Sequence, residues 1–364
     1  MSDISNIFFE LIRVALGNAG SLSHKPSDKE WQQLYDMAKK QSLVGICFAG
    51  VRKTLSDSPF KGEDPSVIGM PEMLYLTWMG MAAKIQQRNE FMNVKTKEAL
   101  TFFREKGFPG QVLKGQGIAK LYGDLAGLRQ SGDIDVWLAG GRAKVYNLSR
   151  DMLGKITGAN YHHIHFPIWE EVEIELHIWP SYLSSPLRHY RLRKFCRLYI
   201  PEVGCEETPP ISFNLVYILL HCYQHFSGHG VGFRQIMDYY FLLLQNPTDK
   251  EKKEAYNWIE SLGMKKFAHA LMWVLMEVFG LQQSQLLCDP NEHDGRFLLA
   301  EILETGNMGH QDKRVDKSKL QTAFGRYCFN MKRDAQMVRI CPHEALWEPF
   351  WGIYQFCWRK LKRL

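Results

Sequence analysis

The segment that most restricts the fold is Gly132-Asp133-Ile134-Asp135-Val136-Trp137. Side chains alternate across a strand. Asp133 and Asp135 therefore project to one side, while Ile134 and Val136 enter a core. Two carboxylates on one face of a strand edge form a hard oxygen site suited to Mg²⁺. One helix length upstream stands Leu113-Lys114-Gly115-Gln116-Gly117. This reads as a glycine turn entering a short helix, and a helix N-terminus behind such a turn suits a phosphate. Together the two features point to metal-assisted chemistry on a nucleotide.

Around this segment the pattern is helical on both sides. Residues 4–17 and 28–55 read as amphipathic helices, the second opened by a cap at Ser27-Asp28-Lys29-Glu30. Prolines and glycines make 57–71 a loop, and a long helix follows from 72 to 106, stopped by Gly107 and Pro109. The middle alternates: strands at 111–114 and 133–138, helices at 117–123 and 141–154, and strands at 160–168 and 171–179 joined around Glu170-Glu171. After Pro210 the spacing predicts helices at 213–226, 233–244, 250–263, 265–279, 297–304, 319–334 and 343–363, with a loop at 306–318. Three regions result: N-terminal helices over 1–106, an α/β core over 107–205 and a helical domain over 206–364.

Nucleotidyl transfer by two metals usually needs a third carboxylate. Glu171-Val172-Glu173-Ile174-Glu175-Leu176-His177 alternates strictly, with Val172, Ile174 and Leu176 on one side and Glu173, Glu175 and His177 on the other. If this strand lies beside the Asp133–Asp135 strand, Glu175 completes the site, with Glu173 as its rival. Gly115 and the helix behind it would then hold the β and γ phosphates, and Lys114 would add charge.

These residues carry a resemblance. The arrangement resembles the nucleotidyltransferase superfamily typified by DNA polymerase beta. More narrowly, Leu113-Lys114-Gly115, Arg129 with Gly132-Asp133-Ile134-Asp135, and Glu175-Leu176-His177 resemble a bacterial group of largely uncharacterised nucleotidyltransferases. That group also carries a histidine helix and an Arg…Asp helix, here His221 with His225 and Arg234 with Asp238. The resemblance implies an α+β fold, with a small mixed-sheet core set between helical segments. It implies two Mg²⁺ ions, or Mn²⁺, on Asp133, Asp135 and Glu175, with Glu175 helping to deprotonate the acceptor. It implies nucleotide contacts at Lys114, Gly115, Gln116, Arg129, His221, His225, Arg234 and Asp238. Two positions depart from the superfamily pattern. Gln116 stands where a small residue is usual, and Glu175 stands where Asp is commoner.

Other clusters have plainer readings. His162, His163 and His165 invite a zinc site, but neighbouring strand positions diverge, so His162 should face away from the other two. His221 and His225 have the spacing of a zinc-protease helix without the glutamate beside the first histidine. Arg234 and Asp238, at i and i+4, could simply pair along their helix, and Lys114 and Arg129 could form surface salt bridges. The C-terminal run from Phe350 to Leu364 mixes aromatics with a basic end. It suits either packing on the domain or an anionic surface.

Composition narrows the partners. A net charge of +6, from 45 basic and 39 acidic side chains, with no long basic stripe, favours a small-molecule acceptor over RNA or protein. The eight cysteines form no C-x-x-C pair, which excludes a zinc ribbon and fits free thiols in the cytoplasm. The first 20 residues lack the pattern of a secretory signal, and no apolar run reaches the ~20 residues of a membrane span. The expected activity is transfer of a nucleoside monophosphate from an NTP with release of pyrophosphate. Two alternatives stand beside it: a non-catalytic nucleotide- or partner-binding module on a degenerate version of the fold, and a toxin-type modifier of RNA or protein.

Overall fold

A computed structural model of the chain describes residues 3–56, 64–156, 158–228, 230–309, 312, 314 and 322–362. Three helices come first: α1 (Asp3–Leu16), α2 (Asp28–Lys40) and α3 (Val44–Ser56). Ser27 and Glu30 cap α2 reciprocally, as their spacing predicts. The single helix expected over 28–55 is instead two, broken at Ser42, whose φ is +54°. Neither Gly nor Pro marks the break. It is held by Gln41, which is buried and donates to the Ile302 carbonyl at 2.9 Å while accepting from the Phe233 amide at 3.0 Å.

The 34-residue helix α4 (Glu72–Glu105) is about 51 Å long at 1.5 Å per residue, and it serves two cores. Tyr75, Trp78, Ala82 and Ile85 join an all-helical core, while Met92, Ala99, Leu100 and Phe103 join the core beneath the sheet. Strand β1 (Gly110–Val112) follows, then the short helix α5 (Lys114–Ala119), a 3₁₀ stretch over Lys120–Leu128, and β2 (Ile134–Leu138). Helix α6 (Gly141–Leu153) leads to β3 (His163–His165) and β4 (Ile174–His177). The sheet is mixed, in the order β1-β2-β4-β3; β2 pairs with β4 in parallel and the outer pairs are antiparallel. The β3 and β4 strands are shorter than the alternation suggested, and the segment between them, 166–173, is a loop. Asp133 lies just before β2 rather than within it.

Helices α7 (Pro186–Cys196), α8 (Ile211–Ser227), α9 (Phe233–Leu243), α10 (Asp249–Ser261), α11 (Lys265–Phe279) and α12 (Glu292–Thr305) follow, then α13 (Ala323–Met337) and α14 (Pro342–Lys362). Helix α12 starts five residues before the expected Phe297, because Asn291 Oδ1 caps the Asp294 amide at 2.9 Å. Parts of two expected loops (57–63 and most of 310–318), the start of the helix expected at 319, and the basic side chains after Trp358 lie outside the described residues. No described helix is long and apolar enough to cross a membrane.

The helices before and after the α/β block close into one core. Phe9 of α1, Phe233 of α9 and Phe279 of α11 meet edge to face, with centroids 5.9 and 5.8 Å apart. Beneath the sheet, Ile134, Val136, Leu138, Ile174 and Leu176 pack on α4 and α6. On the opposite face, Trp137 stacks on Phe213 of α8 at 5.5 Å. The sheet's polar face is thus held against α8, and Asp135 lies in the seam. The α+β class read from the sequence is the observed one.

Two glycines test this packing. A Cβ on Gly45 of α3 would lie 2.4 Å from the Leu128 carbonyl oxygen, whereas one on Gly80 of α4 would meet nothing within 4 Å. Gly45→Ala should therefore lower stability by about 1–3 kcal/mol through overpacking. Gly80→Ala should raise it by up to about 1 kcal/mol through helix propensity. Urea unfolding of both variants checks the two signs.

Candidate active site

Parallel pairing of β2 with β4 sets Asp135 directly opposite Glu175, and antiparallel pairing of β3 sets His165 beside Glu175 and His163 beside His177. One face of the sheet therefore carries Asp135, Glu175, His177, His163 and His165. Glu175, not Glu173, is the carboxylate in register with Asp135; Glu173 is more exposed and pairs with His165 at 3.0 Å. Val172, Ile174 and Leu176 point into the core, as expected.

Two cations balance these acids. Lys114 Nζ lies 3.2 Å from Asp135 Oδ1 and 3.9 Å from Asp133 Oδ2. His177 Nε2 lies 2.7 Å from Asp135 Oδ1 and 3.5 Å from Glu175 Oε2. Burial alone would raise Asp135, but the Lys114 ammonium and the His177 hydrogen bond hold it well below the ordinary carboxylate range. Burial would likewise lower His177, yet its hydrogen bonds to Asp135 and Glu175 lift it to about 9, so it is an imidazolium at neutral pH. Asp133 is pushed up by the neighbouring Asp135 charge and by burial. His163, 3.2 Å from Glu175, is held neutral by burial, its pKa lowered to about 3.

The turn that carries Lys114 is sharp. Lys114 has φ +28° and Gly115 φ +41°. A side chain at Gly115 would be strained, and a Cβ at Gly117 would come 2.6 Å from the Val112 carbonyl oxygen. The long residue at 116 is accommodated because its amide turns away from the acids and donates to Asn93 Oδ1 of α4 at 2.6 Å.

Helices α8 and α9 form the opposite wall. His221 and His225 lie on one face of α8 with rings 4.4 Å apart. Arg234 of α9 donates to the Gln130 carbonyl at 3.0 Å, while its Nε is buried without a partner among the described residues. Asp238 does not pair along its helix with Arg234. It accepts two hydrogen bonds from Arg129, at 2.6 and 2.7 Å, and one from Tyr122 at 2.6 Å. Arg129 is thus not a surface residue but half of a buried, bidentate pair.

The histidines also differ from expectation. His162 precedes β3 in a bend, where alternation does not apply, and its ring lies 4.5 Å from that of His163 and 5.6 Å from that of His177. Potential ligand atoms of His162, His163 and His177 approach within 4.8 Å of one another, as do those of Asp135, Glu175 and His177. Of these donors, the carboxylate oxygens of Asp135 and Glu175 suit a hard divalent ion. Asp135 Oδ2 is buried with no partner among the described residues, and Asp133 and Glu175 flank it with further oxygens.

A cavity of about 360 Å³ runs from these acids between the sheet and α8, and ends against α13 and α14. A second lobe, of about 280 Å³, passes Gly115, Gly132 and Arg234. Sequence reasoning missed the far end of the first lobe, Asp334 and Glu348, because isolated acids on a helix carry no motif. It assigned no role to His177, although the alternation that picked out Glu175 picks out His177 as well.

Residues 27–280, from α2 through α11, match the model of a family of uncharacterised nucleotidyltransferases, and the chain belongs to that family. No curated protein and no solved structure matches it.

The Arg129–Asp238 pair fastens the segment leading into β2 onto α9. Removing one partner of a buried pair strands the other charge and costs about 3–5 kcal/mol. Arg129→Met should lose stability on that scale. Tyr122→Phe, which removes one hydrogen bond of the same cluster, should lose about 1–3 kcal/mol. Denaturant midpoints of the two variants measure the order, and an Arg129→Met loss below that of Tyr122→Phe would rule out this role for the pair.

Proposed function

We propose that this protein transfers a nucleoside monophosphate from a nucleoside triphosphate to a hydroxyl of a small acceptor and releases pyrophosphate. The observation that carries this reading is the in-register pairing of Asp135 with Glu175, with a buried, unpartnered oxygen on Asp135. Asp133, Asp135 and Glu175 are the residues that would hold two Mg²⁺ or Mn²⁺ ions. Such ions, if bound there, would supply Lewis acidity to the attacking hydroxyl and to the charge developing at the α-phosphorus.

The chain's own groups divide the remaining work. Lys114 is close enough to the carboxylates to neutralise them in the free protein, and its long side chain can turn to the triphosphate once that charge is met otherwise. The backbone at Gly115 and Gln116 receives phosphate oxygens, and Arg234, whose Nε has no partner among the described residues, lines the same lobe. His221 and His225 line both lobes and contact the nucleotide from α8. Arg129 and Asp238 act on the nucleotide end by fixing its wall. In the transfer, the acceptor oxygen bonds to the α-phosphorus and the bond from that phosphorus to the bridging oxygen of the β-phosphate breaks. The electron pair leaves with pyrophosphate, and the hydroxyl proton passes to Glu175. A cavity of about 360 Å³ is in the size range of small-molecule sites and suits a small acceptor. The same reading places the reaction in the cytoplasm.

Thermal unfolding with each of the four NTPs, with and without Mg²⁺, tests this directly. A ligand at 100 times its Kd adds about 2.7 kcal/mol to the native state. We expect a Mg²⁺-dependent rise with at least one NTP, lost in Asp133→Asn. Pyrophosphate release should fall at least about 100-fold in that variant. Asp133 is partly exposed, so the substitution should leave the fold intact. Unchanged release in Asp133→Asn would overturn the assignment.

A further inference from the structure

The two lobes differ in charge. The lobe past Gly115 is balanced, with Lys114, Arg129 and Arg234 beside Asp133, Glu173 and Asp238, and Arg234, in no ion pair among the described residues, suits a triphosphate. The other ends on Asp334 of α13 and Glu348 of α14, with Glu344 just behind. Glu344 and Glu348 have a partial structural explanation: the Ser184 amide donates to Glu344 Oε1 at 2.8 Å, and the Ser184 hydroxyl donates to Glu348 Oε2. Asp334 has none. It is 7% exposed, it lines the cavity, and its Oδ2 is buried with no partner among the described residues. Glu344 Oε2 is in the same condition. Arg333 also lines this end, with its Nη2 on the Phe226 carbonyl at 2.7 Å and its Nε buried without a partner among the described residues, so one guanidinium stands beside three acids.

Three carboxylates beside one guanidinium leave an excess of negative charge that is costly to bury unless a further cation joins them. Burial, with the Glu348 charge adding and Arg333 opposing, pushes Asp334 up to about 7. Burial, with Glu348 again adding, pushes Glu344 up to about 8. These acids are poised to ionise when a positive group arrives. Helices α13 and α14 also lie beyond residues 27–280, the part matched by the family model.

We propose that this end is the acceptor subsite, and that it selects a small hydroxylated acceptor bearing a primary ammonium group, seated against Asp334 and Glu348. This rests on the nucleotidyl-transfer reading for its reaction, but the binding selectivity stands apart from it. The ammonium takes no part in the bond changes. It anchors the molecule so that a hydroxyl reaches the Asp133–Glu175 end of the same cavity. A phosphorylated acceptor is disfavoured by the same charges.

Titration calorimetry of the full chain with three probes of one shape, glucosamine, glucose and glucose 6-phosphate, tests the proposal. Glucosamine should bind at least about tenfold more tightly than glucose, the range of one hydrogen bond to a charged group, and glucose 6-phosphate most weakly. The preference should vanish in Asp334→Asn, which keeps the side chain's shape, and shrink in Glu348→Gln. Equal binding of the three, tightest binding of the phosphate, no binding of glucosamine, or a preference surviving in both variants overturns it. The Mg²⁺–NTP thermal shift of the unmodified protein separates the two ideas. A shift without amine selectivity removes this inference alone. Amine selectivity without a shift removes the nucleotidyl-transfer reading and leaves the cationic subsite.

Discussion

Two carboxylates placed side by side in a sheet and then covered by a helix set the terms for the rest of this molecule. At 4 Å and an effective dielectric of 20, two like charges repel by about 4 kcal/mol, and burial adds a desolvation cost to each. Asp135 and Glu175 survive this because Lys114 and His177 stand within 3.5 Å of one or both. The compensation dictates local structure. To bring its ammonium under Asp135, Lys114 adopts a positive φ that a non-glycine residue seldom takes. Gly115 then follows because its φ of +41° strains a side chain, and Gly117 because a Cβ there would press on the Val112 carbonyl. The turn that reads in sequence as a phosphate loop is thus, in the free protein, the device that carries a counter-charge.

The seam that holds these charges exists because two apolar cores are joined rigidly. Helix α4 runs through both, and at the crossing Asn89 donates to the Gly127 and Arg129 carbonyls at 2.7 and 2.6 Å. The same short segment is tied from the other side, Arg129 to Asp238 and the Gln130 carbonyl to Arg234. The residues just ahead of Asp133 are therefore clamped between α4 and α9. A buried ion pair is a poor source of net stability compared with apolar packing. Its value here is positional: it fixes where β2 begins and hence where the first carboxylate stands.

What was legible in the sequence follows from the range of each signal. Strict alternation over 171–177 identified the buried and polar faces of β4, because period 2 is a local property. The Ser27–Glu30 cap and most helices were legible for the same reason. The break at Ser42 was not, because its cause is Gln41 reaching residues about 190 and 260 positions away. Asp238 looked like a partner for Arg234 at helical spacing, yet it belongs to Arg129, which lies on another element. His162 was assigned a direction by a strand expected to start at 160, three residues before β3 begins. In each case the error lies where a tertiary contact outweighs the local pattern.

The contrast between the two lobes carries the same logic into function. The end with Lys114, Arg129 and Arg234 is built within the segment that defines the family, from residues that motif spacing could find. The end with Asp334 and Glu348 is built from helices α13 and α14, outside that segment and without a motif. A site assembled this way separates its tasks. The sheet and the glycine turn supply the charge arrangement that phosphoryl chemistry demands, and it changes little with the acceptor. The outer helices line the far end of the cavity, and on the proposed reading their side chains select the molecule presented to that chemistry. Since function lives in sites grafted on a fold rather than in the fold itself, the acceptor is best sought through the acids on α13 and α14, not through the strand that makes the chain recognisable.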